Sequence, residues 1–395
     1  MLVPPGATLA DFPIAAFQSA LLHWFKDNKR ALPWREEPRA PYHVWLAETM
    51  LQQTQVGTVI PYYERWLQRF PTLESLADAP LDDVLKKWEG LGYYSRARNF
   101  HQAAQYVVRE YAGDIPDTVD QLLKLPGIGR YTAGAIASLA FKVDAPILDG
   151  NVSRVLSRVT ALAQDFRSPV SVVALWDLSA RLVPSGHAGE FNEALMDLGA
   201  TVCTPKAPNC AVCPLVSLCI AYAKGAPESY PVRARKAKTP HRNIATAFIR
   251  DATGCVLMAQ RPVNGLLGGL WEFPGGEVAL DAMGAPGTPS GAISQYADMA
   301  AQLTKIIRAT TGLQLQISSD DFRGQVKHAF THFRITRHVA IVSLTEPMPR
   351  VTPSDANINV KWVKPEEIGD LALTRSDQKI LDLARAALDH PDCLL

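Results

Sequence analysis

The chain has 395 residues, room for two or three domains, with an ordinary apolar content and a net charge of +1. That balance excludes binding of polyanions through a global basic field, so any nucleic-acid surface has to be local. No apolar run is long enough to cross a membrane, and the start, MLVPPGATLADF, lacks the basic-then-apolar order of a secretion signal, so a cytosolic protein is expected.

Apolar residues at three- and four-residue spacing predict helices over Ala15–Lys26, Val44–Leu51, Leu81–Trp88 and Arg98–Tyr111. Glu48 lies inside one of them, VWLAETML, among apolar neighbours, where a carboxyl is expected to hold its proton nearer neutral pH. A further helix is predicted over Thr118–Leu125, started by Pro116 and Asp117. It runs into LPGIGRYTAGAI, where Gly127 and Gly129 bracket one apolar residue. Tyr131, Ala135, Ile136 and Leu139 then repeat at helical spacing. This reads as helix, tight glycine turn, helix, with free N–H groups that suit an anion such as a phosphate. Helices follow over Val152–Leu162 and Val172–Leu182. Asp149 and Asn151 stand where an N-cap and an added capping contact belong.

Four of the six cysteines crowd into CTPKAPNCAVCPLVSLC, placing Cys203, Cys210, Cys213 and Cys219 at C-x6-C-x2-C-x5-C. In a reducing compartment such crowding points to a metal centre rather than disulfides. Zinc and an iron–sulfur cube both take four thiolates, and general spacing rules do not separate them. Cys255 and Cys393 stand apart.

Composition then changes. Lys224–Arg242 is rich in Pro, Lys and Arg and reads as an exposed basic linker. Ile244–Arg250 and Cys255–Gln260 flank the turn DATG as a hairpin. Val339–Leu344 and Asn359–Val363 read as strands, and Thr304–Thr310 and Gln378–Leu388 as helices. Ala279–Ile293, rich in Ala, Gly, Pro and Ser, is expected to be a loop.

The cysteine spacing resembles that of the four-iron four-sulfur loop in endonuclease III-type DNA glycosylases. LPGIGRYTAGAI resembles their helix-hairpin-helix, and ILDGNVSRVLSR the segment with their aspartate. VWLAETMLQQTQV and GLGYYSRARN are similar to MutY-type adenine DNA glycosylases. The resemblance spans residues 15 to 390. It implies an all-α helix-hairpin-helix glycosylase domain over 1–222, with the hairpin at 118–141 and the iron–sulfur loop at 203–219. A linker over 223–243 and an α+β Nudix-like domain over 244–395 complete it. It further implies base-excision repair by a monomer in the bacterial cytosol. The partner is double-stranded DNA with adenine mispaired with 8-oxoguanine or guanine.

The resemblance also assigns residues. Glu48 and Asp149 are the catalytic pair, protonating adenine and stabilising the cationic sugar, a division of labour known from glycoside hydrolysis. Asn151 orients Asp149. Tyr131 stands where strand-cutting relatives carry a lysine that forms a Schiff base, so this chain is expected to hydrolyse the glycosidic bond and leave the strand intact. Ser153 likewise offers no amine. Gln52, Gln53, Thr54 and Tyr93 are expected to enter the gap left by the flipped base, Gly127 and Gly129 to grip the backbone, and Arg35 to contact adenine. Outside the resemblance, Arg96 and Arg98 suit phosphate contacts and a solvated helix face equally. LWEFPGGEV resembles the opening of a Nudix motif, yet its metal-binding places hold Ile306, Ala309 and Thr310, so diphosphate hydrolysis is not expected. Phe330, Thr331 and His332 stand where the family reads the damaged base. Cys203, Cys210, Cys213 and Cys219 are the cluster ligands.

Overall fold

The structure is a computed structural model describing residues 12–234, 239–279, 289–330, 332–353 and 358–389, with backbone only for 289–294. Two compact units form. One comprises residues 1–78 and 99–236, the other 79–98 and 237–395.

The first unit is helical. Its elements are α1 (Ile14–Asn28), α2 (Pro41–Leu51), α3 (Val56–Arg69) and α4 (Leu73–Ala77). Helix α5 (Leu81–Trp88) and the first residues of α6 (Ser95–Tyr111) belong to the second unit; the rest of α6 returns to the first. There follow α7 (Val119–Leu122), α8 (Arg130–Phe141), α9 (Gly150–Val159), α10 (Pro169–Leu182), α11 (Ala188–Thr201) and α12 (Ile220–Ala223). Phe17, Leu21 and Phe25, four residues apart, present one face of α1 to Phe191, Leu195 and Leu198 of α11. Helix α2 is buried from Val44 to Met50. Along that stretch no face is left for solvent, so Glu48 and Thr49 lie in the interior, while His43 near the start of the helix is half-buried.

The helix-turn-helix is present in a tighter form than expected. Thr118 caps α7 by accepting from Gln121 N–H, and α7 is a single turn, Val119–Leu122, in place of Thr118–Leu125. Gly127 has φ +76°, and an added Cβ would lie 2.5 Å from Asn99 Cβ, so a side chain is excluded on both counts. Gly129 is the N-cap residue of α8 and has open space beside its Cα.

In the second unit a seven-stranded sheet runs in the order β3 (Trp271–Glu272), β2 (Val256–Gln260), β1 (His241–Arg250), β6 (Arg334–Ser343), β5 (Phe322–Ala329). β4 (Gly275–Glu277) pairs with β1 and β7 (Val360–Val363) with β2. β1 and β6 are parallel over ten residue pairs, and the remaining pairs are antiparallel. Successive side chains of β1 point to opposite faces. Ala245, Ala247 and Ile249 meet Met299, Leu303 and Ile307 of α13 (Pro289–Thr311). Phe248 faces the other way, into a cluster with Ile380 and Ala384 of α14 (Arg375–Asp389). Cover on both faces accounts for the unbroken burial of this strand from Ala245 to Ile249.

The loop expected over Ala279–Ile293 gives way to helix at Pro289, and residues 280–288 lie outside the described residues. A proline in the first turn of a helix loses no hydrogen bond, so composition misplaces that boundary. Among the described residues no helix is long and apolar enough to cross a membrane.

Candidate active site

Helices α2 and α8 bring Glu48 and Tyr131 together. Glu48 is 4% exposed. The Tyr131 hydroxyl donates to Glu48 Oε2 at 2.5 Å and lies 3.3 Å from Met196 Sδ. Burial pushes the Glu48 carboxyl up to about 7; the Tyr131 hydrogen bond opposes this, and the charges of Asp149 and Glu193 add to it. Tyr131 is in turn held well above the usual phenol range by burial and by the Glu48 and Asp149 carboxylates.

Asp149 caps α9, as local sequence predicts. Its Oδ1 accepts from Val152 N–H at 2.7 Å, and its Oδ2 accepts from Asn151 Nδ2 at 3.0 Å. Burial raises its pKa, against the pull of the Val152 and Asn151 backbone N–H groups and of Arg154. Asn151 Oδ1 accepts from Arg154 Nη2 at 2.9 Å, and an added Cβ at Gly199 of α11 would lie 2.7 Å from Asn151 Cβ. The capping and orienting roles therefore coexist on one residue pair. Ser153 is buried one turn along.

Arg35 lies in the same cavity as Glu48, but its guanidinium is engaged. It donates to both carboxylate oxygens of Asp197 at 2.8 and 3.0 Å and pairs with Glu193 at 2.9 Å. Arg39 holds Glu193 at 2.7 Å and Arg30 holds Asp197 at 2.5 Å. The cavity, about 40 Å³, is lined by Arg35, Glu48, Glu193, Met196, Trp34 and Val56 among others. Sequence reasoning passed over Glu193. Its helix, AGEFNEALMDLGA, has an ordinary apolar face, and a glutamate there reads as solvated. Only the three cations converging from Lys29, Arg35 and Arg39 show that it is interior.

Gln52 follows α2 and its Nε2 donates to Thr132 Oγ1 at 3.3 Å, while Thr54 N–H donates to Leu51 O at 3.2 Å. Gln53 between them is exposed with φ +59°. Tyr93, in the second unit, has φ +48° and is 40% exposed. Left-handed backbone at a non-glycine residue is a cost that its surroundings must enforce, and it recurs elsewhere among the described residues, at Ala112, Lys142 and Leu267 among others. Arg96 is buried and donates to Gly92 O at 3.2 Å. Arg98 donates to Gly268 O at 2.9 Å. Both guanidiniums thus carry structural bonds, where sequence suggested phosphate contacts.

In the second unit Phe330, His332 and Phe333 belong to the turn joining β5 to β6, closed by Phe330 N–H donating to Phe333 O at 2.8 Å. Phe330 packs between His328, edge-to-face, and Phe333, at a tilt, with ring centroids 4.6 and 4.7 Å away. His332 is exposed, and Thr331 lies outside the described residues. Ile306 packs beside Gly276, and the Thr310 hydroxyl donates to Ile306 O at 2.8 Å, so the Nudix carboxylate places are filled by packing and helix contacts.

Cys203, Cys210, Cys213 and Cys219 line one small cavity with Arg158, whose Nη1 donates to Cys203 Sγ at 3.2 Å. Burial pushes the Cys213 thiol up to about 12 and raises Cys210 and Cys219 as well. Among the described residues no set of three or more His, Cys, Asp or Glu side chains is arranged to hold a metal ion.

A helical unit with a glycine-hinged helix pair, a buried glutamate and a half-buried aspartate, in one chain with a Nudix-type sheet, defines a base-excision DNA repair glycosylase. Residues 46–172 match the HhH-GPD superfamily of base excision DNA repair proteins, and residues 245–383 match the NUDIX domain. The chain is 37% identical to the adenine DNA glycosylase of Rattus norvegicus over 417 residues, 93% of this chain and 77% of the relative. It is 36% identical to that of Homo sapiens over 421 residues, 93% and 73% of the two chains. A solved thermostable thymine-DNA glycosylase matches 55% of this chain and all of its own, with TM-score 0.50 and 30% identity. The chain belongs to the adenine DNA glycosylase family, and its activity is adenine excision in base-excision repair.

Proposed function

We propose that this chain removes adenine mispaired with 8-oxoguanine or guanine in double-stranded DNA, by hydrolysis and without cutting the strand. The observation that carries this reading is the Tyr131–Glu48 hydrogen bond with Asp149 close by. A carboxyl poised near neutrality donates a proton to adenine as the glycosidic bond breaks, then accepts one from water. Asp149, held by Val152 and Asn151, faces the cationic sugar as its counter-charge. The phenol of Tyr131 cannot form a Schiff base, so water completes the reaction. Arg35 orders Glu193 and Asp197 around the adenine pocket rather than offering a free guanidinium.

Gln52, Gln53, Thr54 and Tyr93 occupy the gap beside the opposite base, and Gly127 and Gly129 approach the phosphates. Excision resides in residues 1–222 and reading of the opposite base in 244–395, through Phe330, Thr331 and His332, with 223–243 as the connecting basic segment. The four cysteines hold a four-iron four-sulfur cluster. Four thiols sharing one cavity, with the Arg158 guanidinium as counter-charge, suit an anionic thiolate-bound centre, which supplies structural cross-linking when bound. The protein acts as a monomer in the bacterial cytosol.

The test is single-turnover incubation with duplexes carrying adenine opposite 8-oxoguanine, guanine or thymine, followed by alkali. Abasic sites opposite 8-oxoguanine and guanine, strand breaks only after alkali, and no borohydride-trapped adduct are expected. Efficient trapping would overturn the monofunctional reading.

A further inference from the structure

Residues 79–98 group with 237–395 and not with the rest of the helical bundle, and we infer that the second unit holds Tyr93 in place through Glu89, a positioning residue for recognition of the opposite base. The inference rests on the reading that Tyr93 stands beside that base.

Glu89 is the last residue before the loop 90–93. Its Oε1 accepts from Leu373 N–H at 2.9 Å and from Gln378 Nε2 at 3.1 Å. Its Oε2 accepts from Lys86 Nζ at 2.6 Å, and Lys86 also donates to Leu371 O at 3.1 Å. The anchor is stiff. Leu373 is buried and bridges to β3 at Trp271, Ala372 O accepts from Trp271 N–H at 2.9 Å, and Gln378 belongs to α14. On the far side of the loop Arg98 is tied to Gly268 O. The loop is thus fastened to the second unit before and after Tyr93.

Between these fastenings the loop is built tightly. Trp88 Nε1 and Arg96 Nη2 both donate to Gly92 O, at 3.0 and 3.2 Å, and Gly90 N–H donates to the Tyr94 hydroxyl at 3.2 Å. The Arg96 guanidinium lies 5.1 Å from the Trp88 ring centre and 5.5 Å from that of Tyr93. Tyr93 keeps a left-handed φ with its ring partly in solvent. A tyrosine left to itself abandons that conformation, so it persists only while its surroundings over-determine it. The carboxylate of Glu89, with both oxygens engaged, is the acidic member of those surroundings and reaches both Leu373 and helix α14, alongside the contacts that Lys86 and Arg98 make to Leu371 and Gly268. A base-contacting side chain displaced by about 1 Å loses much of its effect. Discrimination of the opposite base therefore depends on a residue that touches no DNA.

The test uses the full-length protein. Single-turnover adenine excision is measured opposite 8-oxoguanine and opposite guanine, and the ratio is the preference. Glu89→Ala is expected to lower the preference roughly tenfold, with the rate opposite guanine changed less than about twofold. Glu89→Gln, which keeps an acceptor for Leu373 and Gln378, is expected to restore most of it. Gln378→Ala is expected to lower it from the other side of the contact. Tyr93→Ala tests the underlying reading, and adding Glu89→Ala to it is expected to cause no further loss. A melting scan establishes folding; if Glu89→Ala is unstable, Gln378→Ala carries the test, and full preference in that variant overturns the proposal. Loss of preference in Tyr93→Ala with full preference in Glu89→Ala overturns the proposal and leaves the reading standing. Full preference in Tyr93→Ala removes the reading, and the proposal with it.

Discussion

Replacing Tyr131 with phenylalanine removes one hydroxyl from a buried acid and leaves everything else in place. That hydroxyl donates to Glu48 Oε2 at 2.5 Å and is the chief influence holding the carboxyl down against burial, Asp149 and Glu193. A hydrogen bond to a charged group contributes about 1.5–3 kcal/mol, and one pH unit of pKa corresponds to about 1.4 kcal/mol. Loss of the bond should therefore raise the Glu48 pKa from about 7 by roughly 1 to 2 pH units. As a general acid Glu48 works in its protonated form, so excision should persist to more alkaline pH in the variant, whatever happens to the height of the profile. The assay is excision from an adenine:8-oxoguanine duplex at limiting enzyme across pH 5 to 10. Conditions that report kcat/KM are needed because that quantity follows the free protein. An alkaline limb that stays within about 0.3 pH unit of its original position, or moves towards acid, would mean that Tyr131 does not tune Glu48.

Glu48→Gln should abolish excision and stabilise the fold. The folded carboxyl pKa is about 7 against an ordinary 4.5, so the folded state holds the proton more tightly and stability is lost as pH rises through that window. The difference of 2.5 pH units corresponds to roughly 3 kcal/mol above pH 7. Denaturant melts at pH 8 and pH 4 should show the variant's advantage only at the higher pH; an equal advantage at both would contradict the burial account. Gly199→Ala should cut excision by roughly tenfold or more while leaving duplex binding, because its Cβ would push Asn151 away from Asp149; a normal single-turnover rate would refute that coupling. Cys213→Ala should lose iron, counted by colorimetric assay, whereas the buried Cys255→Ala should keep it; stoichiometric zinc in active, colourless protein would exclude the cluster. His332→Ala should shrink the preference for 8-oxoguanine over guanine by roughly 1–3 kcal/mol, about ten- to a hundredfold. An unchanged ratio would move recognition away from the β5–β6 turn.

What was readable from sequence is what short-range physics controls. The change from helix to mixed structure follows from the Pro-, Lys- and Arg-rich stretch at 224–242 and from the short apolar runs around the turn DATG that replace three- and four-residue spacing beyond it. Asp149 as a cap, the glycine turn at 127–129 and the cysteine spacing each lie within one or two turns of chain. Glu48 was legible as a buried acid because its neighbours in VWLAETML are apolar around the helix, a property of eight consecutive residues. The boundary at Pro289 was misread because composition alone does not separate a proline that breaks a helix from one that opens it.

Tertiary structure decided the partners. Tyr131 meets Glu48 across 83 residues, Arg35 meets Asp197 across 162, and Glu89 meets Gln378 across 289. No periodicity encodes such pairs, because side-chain spacing along a helix or strand constrains only the nearest turns. Which cation neutralises Glu193, and which unit claims residues 79–98, depend on how whole elements pack. A buried charge must find its counter-charge wherever the fold delivers one. Hence sequence marked Arg35, Arg96 and Arg98 as cations available to adenine or phosphate, and only the fold showed that each was already engaged.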